Sequence, residues 1–486
     1  MSAESIPVST TASGYAADRT RPLSRRFKTA YGVGQFVEST STTVLNFFLF
    51  FYVTTVCGLS GSLTGLALFL ALAVDAVADP VVGSISDNLS TVWGRRVPPM
   101  AVSLLPIAGA MGLLFSIPAR ASGLTLFLYV LMLLTALRVS LSGFIIPYFG
   151  LGAELSDDYD ERSSIVAFRA IFGILATLGV YVLGFHTFLG GPKGLLDRTG
   201  YAPFGWTAAA LMLVGGAVAT SASLRAVPRL HAATPGKARP VSRLLSEVAE
   251  VFRNPAFRLL FVGVLVFFVG QGVFLTLSLH AYKYFWGLGV GAIQAIAIGT
   301  VVGLAAGLPV AFALIGRTEK RDIVLAGITI ICLFEAVPAL ANVLGLIPHS
   351  AALEEGVLIV ASVGTGAMTT LVAIAFQSAM ADAVDEHDLL FAARREGLFF
   401  ASLSFANKAA IGLGALISGI LLDLIGFPGA AIAAGAHVVI GPAVLRDLGL
   451  TSGPFAALIT MISVAVFARY RLDRACHGSI REALGR

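Results

Sequence analysis

Charge is what this chain has least of. Of its 486 residues only 13% are Asp, Glu, Lys or Arg, 33 basic against 28 acidic, while 57% are hydrophobic. A soluble domain carries about 25% charged residues, so the composition excludes a cytosolic enzyme, a disordered chain and a secreted disulfide scaffold. Cysteine is nearly absent as well. Cys57, Cys332 and Cys476 lie far apart, which provides no metal-ligand spacing and predicts no functional disulfide. No P-loop and no Ser/His/Asp arrangement occurs, so no covalent chemistry is indicated and the chain does not read as an enzyme. Segments of about 10 residues with alternating polarity, the signature of a membrane β-barrel, are also missing.

The charge that remains is clustered. Between the clusters run apolar stretches of about 20 residues, the length a helix needs to cross a hydrocarbon core. Twelve spans are predicted, near 29–56, 61–87, 98–118, 123–153, 164–188 and 203–223, then 257–285, 290–316, 322–346, 355–381, 397–426 and 452–470. Residues 1–28 are polar and close on Arg19, Arg21, Arg25, Arg26 and Lys28, with no apolar run or small-residue cleavage site before them. They read as a cytoplasmic tail and not as a signal peptide. Placing the N-terminus inside puts most basic residues on the cytoplasmic side, so both termini, including the tail 471–486, are expected there. The net charge of +5 then reflects orientation and implies no nucleic-acid partner.

The longest hydrophilic connection, 224–256, divides the spans six and six, into 29–223 and 257–470. Its second part, 241–252, carries Leu244, Leu245, Val248, Val251 and Phe252 at helical spacing, which predicts an amphipathic helix along the membrane face. Short motifs recur between the halves. Arg95-Arg96 after the second span is echoed by Lys320-Arg321 after the eighth, and Glu154 after the fourth by Asp382 after the tenth. Two parallel six-helix halves joined by a basic linker predict a major facilitator fold: an all-α polytopic membrane protein of 12 transmembrane helices in two bundles.

Asp75 and Asp79 stand four residues apart in the second span, so both carboxylates project from one helical face. An acid inside the membrane marks an ion path by default. Two neighbouring acids need a cation or a shared proton, and their hard oxygens suit a small cation or H⁺.

Several stretches belong together. Asp75 to Gly83 reads D-x-x-x-D-P-x-x-G, followed by Asp87 and Trp93-Gly94-Arg95-Arg96. Tyr31-Gly32 and Gly34 open the first span, and Glu154, Asp157 and Arg162 lead into Arg169 of the fifth. Asp382, Asp385, Glu386, Arg395, Glu396, Asn407 and Lys408 mark the tenth and eleventh. With these motifs the chain resembles, over nearly its whole length, the glycoside–pentoside–hexuronide:cation symporters, the melibiose-permease-like family of the major facilitator superfamily. The resemblance implies that Asp75 and Asp79 bind the coupling cation, with Ser142 supplying a hydroxyl where the family has threonine. It also implies that Lys408 and Arg169 face the solute cavity. Ile145 and Ser39 stand where the family carries two sugar-binding carboxylates, although Glu38 lies beside Ser39.

Arg138 has no counterpart in that family, and three readings are open. It pairs with Asp75 or Asp79 in place of a cation; or, with Lys408 and Arg169, it presents positive charge to an anionic solute; or it pairs with Glu38. Tyr31, Gln35, Tyr148, Gln271 and Gln377 offer the amide and aromatic contacts that sugars use, although each alone is more often helix–helix glue. Asp87, Arg95, Arg96, Glu154, Asp157, Arg162, Asp382, Asp385, Arg395 and Glu396 are expected to form a cytoplasmic gate whose pairs make and break between access states. Glu335 and Asp423 are intramembrane acids without obvious partners, and His280 looks interfacial.

The expected function is secondary active transport in the inner membrane: Na⁺- or H⁺-coupled symport of a sugar, glycoside or sugar acid by alternating access. The alternatives are a lysophospholipid carrier of the same superfamily and a non-transporting membrane sensor. No cofactor beyond the coupling ion is expected, and the partners are the small-molecule solute and the lipid bilayer, with the chain acting as a monomer.

Overall fold

The computed structural model describes residues 22–227, 250–348, 350–391, 395–436, 438–470 and 472–485. Most of the predicted N-terminal tail and of the amphipathic helix at 241–252 lies outside these. Among the described residues there is no strand, and eleven helices are long and apolar enough to cross a membrane. They are α2 (Gly61–Asn88), α3 (Val97–Leu114), α4 (Gly123–Glu154), α5 (Tyr159–Phe188), α6 (Arg198–Ala226), α7 (Pro255–Phe285), α8 (Val290–Ile315), α9 (Lys320–Val343), α10 (Ala351–Phe391), α11 (Glu396–Leu424) and α12 (Pro442–Phe467). The first predicted span, here α1 (25–56), is helical in pieces: Arg25–Gly32 and Gln35–Thr43 are α-helical, while Val44–Leu49 and Tyr52–Val56 are π-helical. A terminal helix, α13 (Arg474–Ala483), follows.

Local chemistry sets the helix starts. Ser60 caps α2 by accepting from Leu63 N–H, Asp158 caps α5 through Glu161 N–H, and Asn254 caps α7 through Phe257 N–H ahead of Pro255; such side chains satisfy donors that a helix cannot pair internally. Two boundaries differ from the hydropathy reading. α12 begins at Pro442 because Arg446 and Asp447 depress the hydropathy of a turn that is nonetheless helical. α10 continues past 381 to Phe391, since its charged extension stays helical beyond the apolar stretch.

Within the first half α3 packs on α4 and α6, and α1 on α5 and α6; within the second, α8 packs on α10 and α7 on α11 and α12. The halves meet where α2 runs antiparallel to α11. A Cβ on Gly61 would lie 2.5 Å from Gly419 O, and one on Gly65 would lie 2.5 Å from Ala415 O. Glycine here permits backbone contact, the usual device of membrane helix pairs. Asp423 closes this end, its two oxygens each accepting at 2.8 Å from Gly61 N–H and Ser62 N–H. His280 is fully buried. Its Nε2 lies 3.0 Å from the hydroxyls of Thr54 and Thr55, and Phe50, Phe51 and Phe427 surround the ring.

Toward the charged-loop end the seam parts. Gly61–Leu72 of α2 and the 406–422 stretch of α11 each bury a continuous face, whereas neither 80–85 nor 400–405 buries a single residue. The halves are therefore joined at the end holding Gly58 and Phe427 and splayed at the end holding Asp87 and Asp382.

Candidate functional site

The acid pair sits where the seam gives out. Asp75 is 3% exposed and Asp79 half-buried. Ser142 Oγ of α4 lies 2.8 Å from Asp75 Oδ1 and 2.6 Å from Asp79 Oδ1. One hydroxyl holds one proton, so Ser142 donates to one acid at a time. Lys408, reaching across from α11, places Nζ 2.8 Å from Asp75 Oδ2 and in closer contact with Asp79 Oδ2. Among ion pairs between described residues, those of Lys408 alone join the two halves. Two carboxylates and a hydroxyl thus surround a positive charge, and the ammonium stands where a small cation would.

Arg138 makes no ion pair with these acids, although both carboxylates act on it electrostatically. It lies one turn before Ser142 on α4, and among the described residues it makes no ion pair; Nε has no hydrogen-bond partner. Lys408 holds the acids instead because it faces them directly from the opposing helix. Nor does Arg138 pair with Glu38, whose Oε2 accepts from Gln35 Nε2. Arg138 lines a narrow cleft with Asn46 and Leu72, against Gly272, Thr276 and Ile411 of the second half.

A second cluster links α1, α4 and α5. Arg169 Nε donates to Gln35 Oε1 at 3.2 Å, extending the Glu38–Gln35 bond, and its guanidinium lies over the rings of Phe149 (3.9 Å) and Tyr148 (5.2 Å). Tyr148 OH donates to Tyr31 O at 2.8 Å, and Tyr31 OH donates back to Tyr148 O. Both tyrosines are at most 1% exposed, so their hydroxyls serve as helix glue and not as solute contacts. Ser39 packs toward Gly173 of α5.

In the second half Gln271 Nε2 donates to Glu335 Oε1 at 3.0 Å. Both residues line a cavity of about 300 Å³ between α7, α8, α9 and α10, closed on the other side by Phe47 of α1 and Tyr181 of α5. Gln377 is exposed and does not line it. Glu335 has a partner that its sequence did not announce; two polar residues at matching depth on α7 and α9 were the available signal. Asp423 could have been recognised as an acid opposite the start of α2, where an anion is favoured.

At the charged-loop end, Arg95 pairs with Glu154 at 2.7 Å, and Arg96 with Glu154 at 2.9 Å and Asp87 at 2.8 Å. In the second half Lys320 pairs with Asp382 at 2.6 Å, His477 lies 3.1 Å from Asp385, and Arg395 lies 3.6 Å from Glu250. Glu161 binds Lys28 at 2.7 Å, a pair that sequence reasoning missed. None of these pairs joins one six-helix half to the other. Asp157 and Arg162 are exposed, Arg162 outside all of them, while Asp157 and Glu396 make other contacts.

A family model described as MFS/sugar transport protein matches residues 30–474. An uncharacterised symporter of Synechocystis, sll1374, is 33% identical, over 32% of this chain and 30% of that protein, so that match spans under a third of the relative's length. The isoprimeverose transporter of Lactiplantibacillus pentosus is 22% identical over 84% of this chain and 81% of its own. Among solved structures, a mutant of the nucleoside transporter NupG superposes with a TM-score of 0.63 at 12% identity, covering 92% of this chain and 98% of that one. At that identity the likeness concerns the fold alone.

Proposed function

Because the chain belongs to the MFS/sugar transport protein family, as an integral-membrane secondary transporter and not an enzyme, we propose that it is a cation-coupled symporter of a small sugar-like solute. The observation that carries this reading is Lys408, which rests on both Asp75 and Asp79 and ties the two halves together. A Na⁺ or H⁺ arriving on the acids competes with the ammonium for the same oxygens. Occupation of the acids therefore loosens the link between α2 and α11, which is how an ion gradient biases a rocking equilibrium. Arg138, a guanidinium in the span without an ion pair among described residues, supplies the group that an anionic solute needs; a carboxylate or phosphate binds it bidentately. The preferred solute is accordingly a sugar acid or glycoside conjugate.

Both termini lie in the cytoplasm in this reading, so the splayed end faces inward. One copy of the chain carries both halves and thus a complete route, in keeping with a monomer. The test is uptake by proteoliposomes of a solute panel spanning neutral sugars, sugar acids and lysophospholipids, with Na⁺ or H⁺ gradients imposed separately. Gradient-driven accumulation of a sugar acid that disappears in Asp75→Asn supports the reading. Uptake of lysophospholipid alone selects the amphiphile carrier, and accumulation undiminished in both Asp75→Asn and Asp79→Asn removes the cation site.

A further inference from the structure

The charge at the centre of the first half is balanced: Asp75 and Asp79 face Lys408, with Arg138 on the next turn from Ser142. The second half is different. Glu335 is 4% exposed, has no ion-pair partner among the described residues, and uses one oxygen on Gln271 while Oε2 is buried without a hydrogen bond. A carboxylate left that way inside a membrane protein needs a positive partner or a proton.

The walls of its cavity favour one kind of partner. Phe47, Tyr181, Phe267, Tyr282, Trp286 and Phe334 all line it, and aromatic faces attract a cation once water is excluded. Five of the lining hydroxyls are already committed as donors. Ser278, Thr300, Ser362, Thr369 and Ser452 each donate to a carbonyl of their own helix, at 2.8, 3.3, 2.8, 2.8 and 3.2 Å. Their lone pairs remain available, so the site offers acceptors and negative charge to a ligand that brings donors and positive charge. A bare metal ion is a poor fit, because a single carboxylate serves a space of about 300 Å³, the lower end of small-molecule pockets.

We infer that this cavity is a binding site for a protonated amine, whose ammonium pairs with Glu335 and packs against the aromatic walls. The inference goes beyond the cation-coupling reading and does not depend on it, since none of Asp75, Asp79 or Lys408 lines this cavity. Gly272, Leu275 and Ile411 line both this cavity and the cleft at Arg138. A single solute reaching both would present an amine at one end and an anion at the other.

Trp286 lines the cavity, and the chain's two other tryptophans, Trp93 and Trp206, are exposed. In a Trp93→Phe, Trp206→Phe background, Trp286 fluorescence reports occupancy of the purified full-length protein. The titrants are benzylammonium chloride and its neutral analogue benzyl alcohol. Benzylammonium is expected to saturate the signal about tenfold more tightly than the alcohol, and Glu335→Gln to erase that difference. Gln271→Lys places an internal ammonium beside Glu335 and should erase it too, which keeps the question answerable if Glu335→Gln fails to fold. Equal binding of the two titrants by the parent, or a preference surviving in either folded variant, overturns the inference. Loss of the preference in Glu335→Gln with Asp75→Asn unaffected separates this site from the coupling acids.

Discussion

The two ends of the α2–α11 pair are held in opposite ways. At the end near Gly58 and Phe427 the helices touch backbone to backbone, with neutral or capping hydrogen bonds from His280 and Asp423. At the other end the helices part, and ion pairs such as Arg95–Glu154 and Lys320–Asp382 lie within each half. The difference separates two tasks. A seam of small residues and few hydrogen bonds is cheaper to open than one of ion pairs, although Asp423 loses both its N–H partners when it parts. In the proposed rocking motion the internal ion pairs would keep their partners as each bundle moves. Lys408 with Asp75 and Asp79 stands at the boundary, a charged contact between halves, and is the point at which the proposed coupling ion would act.

The largest effect tests that boundary. Lys408 is 29% exposed but Asp75 only 4%, and stranding a buried charge costs up to about 3–5 kcal/mol, so Lys408→Ala should separate the halves more readily and uncouple transport from the gradient. Flux measurements would show downhill exchange retained and uphill accumulation lost; retained accumulation would mean the boundary is not charged in any functional sense. Next comes the sealed end. A Cβ on Gly419 would sit 2.0 Å from Gly61 O, and overpacking of this kind costs about 1–3 kcal/mol. Gly419→Val should prise the seam open and raise labelling of Cys57, a half-buried thiol at that end, by a membrane-impermeant maleimide in a Cys476→Ser background. Unchanged labelling would show that the seam is not what closes this end.

A smaller effect is expected in the cleft between them. Arg138→Gln should weaken binding of an anionic solute about tenfold, the scale of a lost charge-assisted contact, and leave a neutral analogue alone. Competition assays with a matched sugar and sugar acid decide this. The smallest concerns the internal pairs. Arg95 and Glu154 are 25% and 22% exposed, so Arg95→Gln should lower stability by about 1 kcal/mol at most. A large fall in melting temperature would instead make this pair part of the central machinery.

Much of this was legible in the sequence because a membrane makes polarity expensive. Twelve apolar stretches, the i,i+4 spacing of Asp75 and Asp79, and their separation from Lys408 all survive translation into one dimension. Partnership does not. Lys408 and Arg138 both lie near mid-membrane, and depth could not say which one reaches the acids; the antiparallel register of α2 and α11 decides it. Glu335 looked solitary because Gln271 is on another helix, and a neutral amide carries no charge to draw attention. Tyr31 and Tyr148 read as sugar platforms, yet each hydroxyl is spent on the other residue's carbonyl. Their burial is a property of packing between α1 and α4 that no local pattern encodes.

The place of Asp75 along α2 has a mechanical consequence. From Gly61 to Asp75 is about 21 Å of helix, and from Asp75 to Asn88 about 20 Å, at 1.5 Å per residue. The charged contact with Lys408 therefore sits near the fulcrum of a lever with two equal arms. Turning α2 against α11 about that point would swing the Gly61 end away by about the distance that the Asp87 end swings in. In the coupled reading proposed above, a cation bound at that point would have no distance to travel and would alter the torque while staying in place.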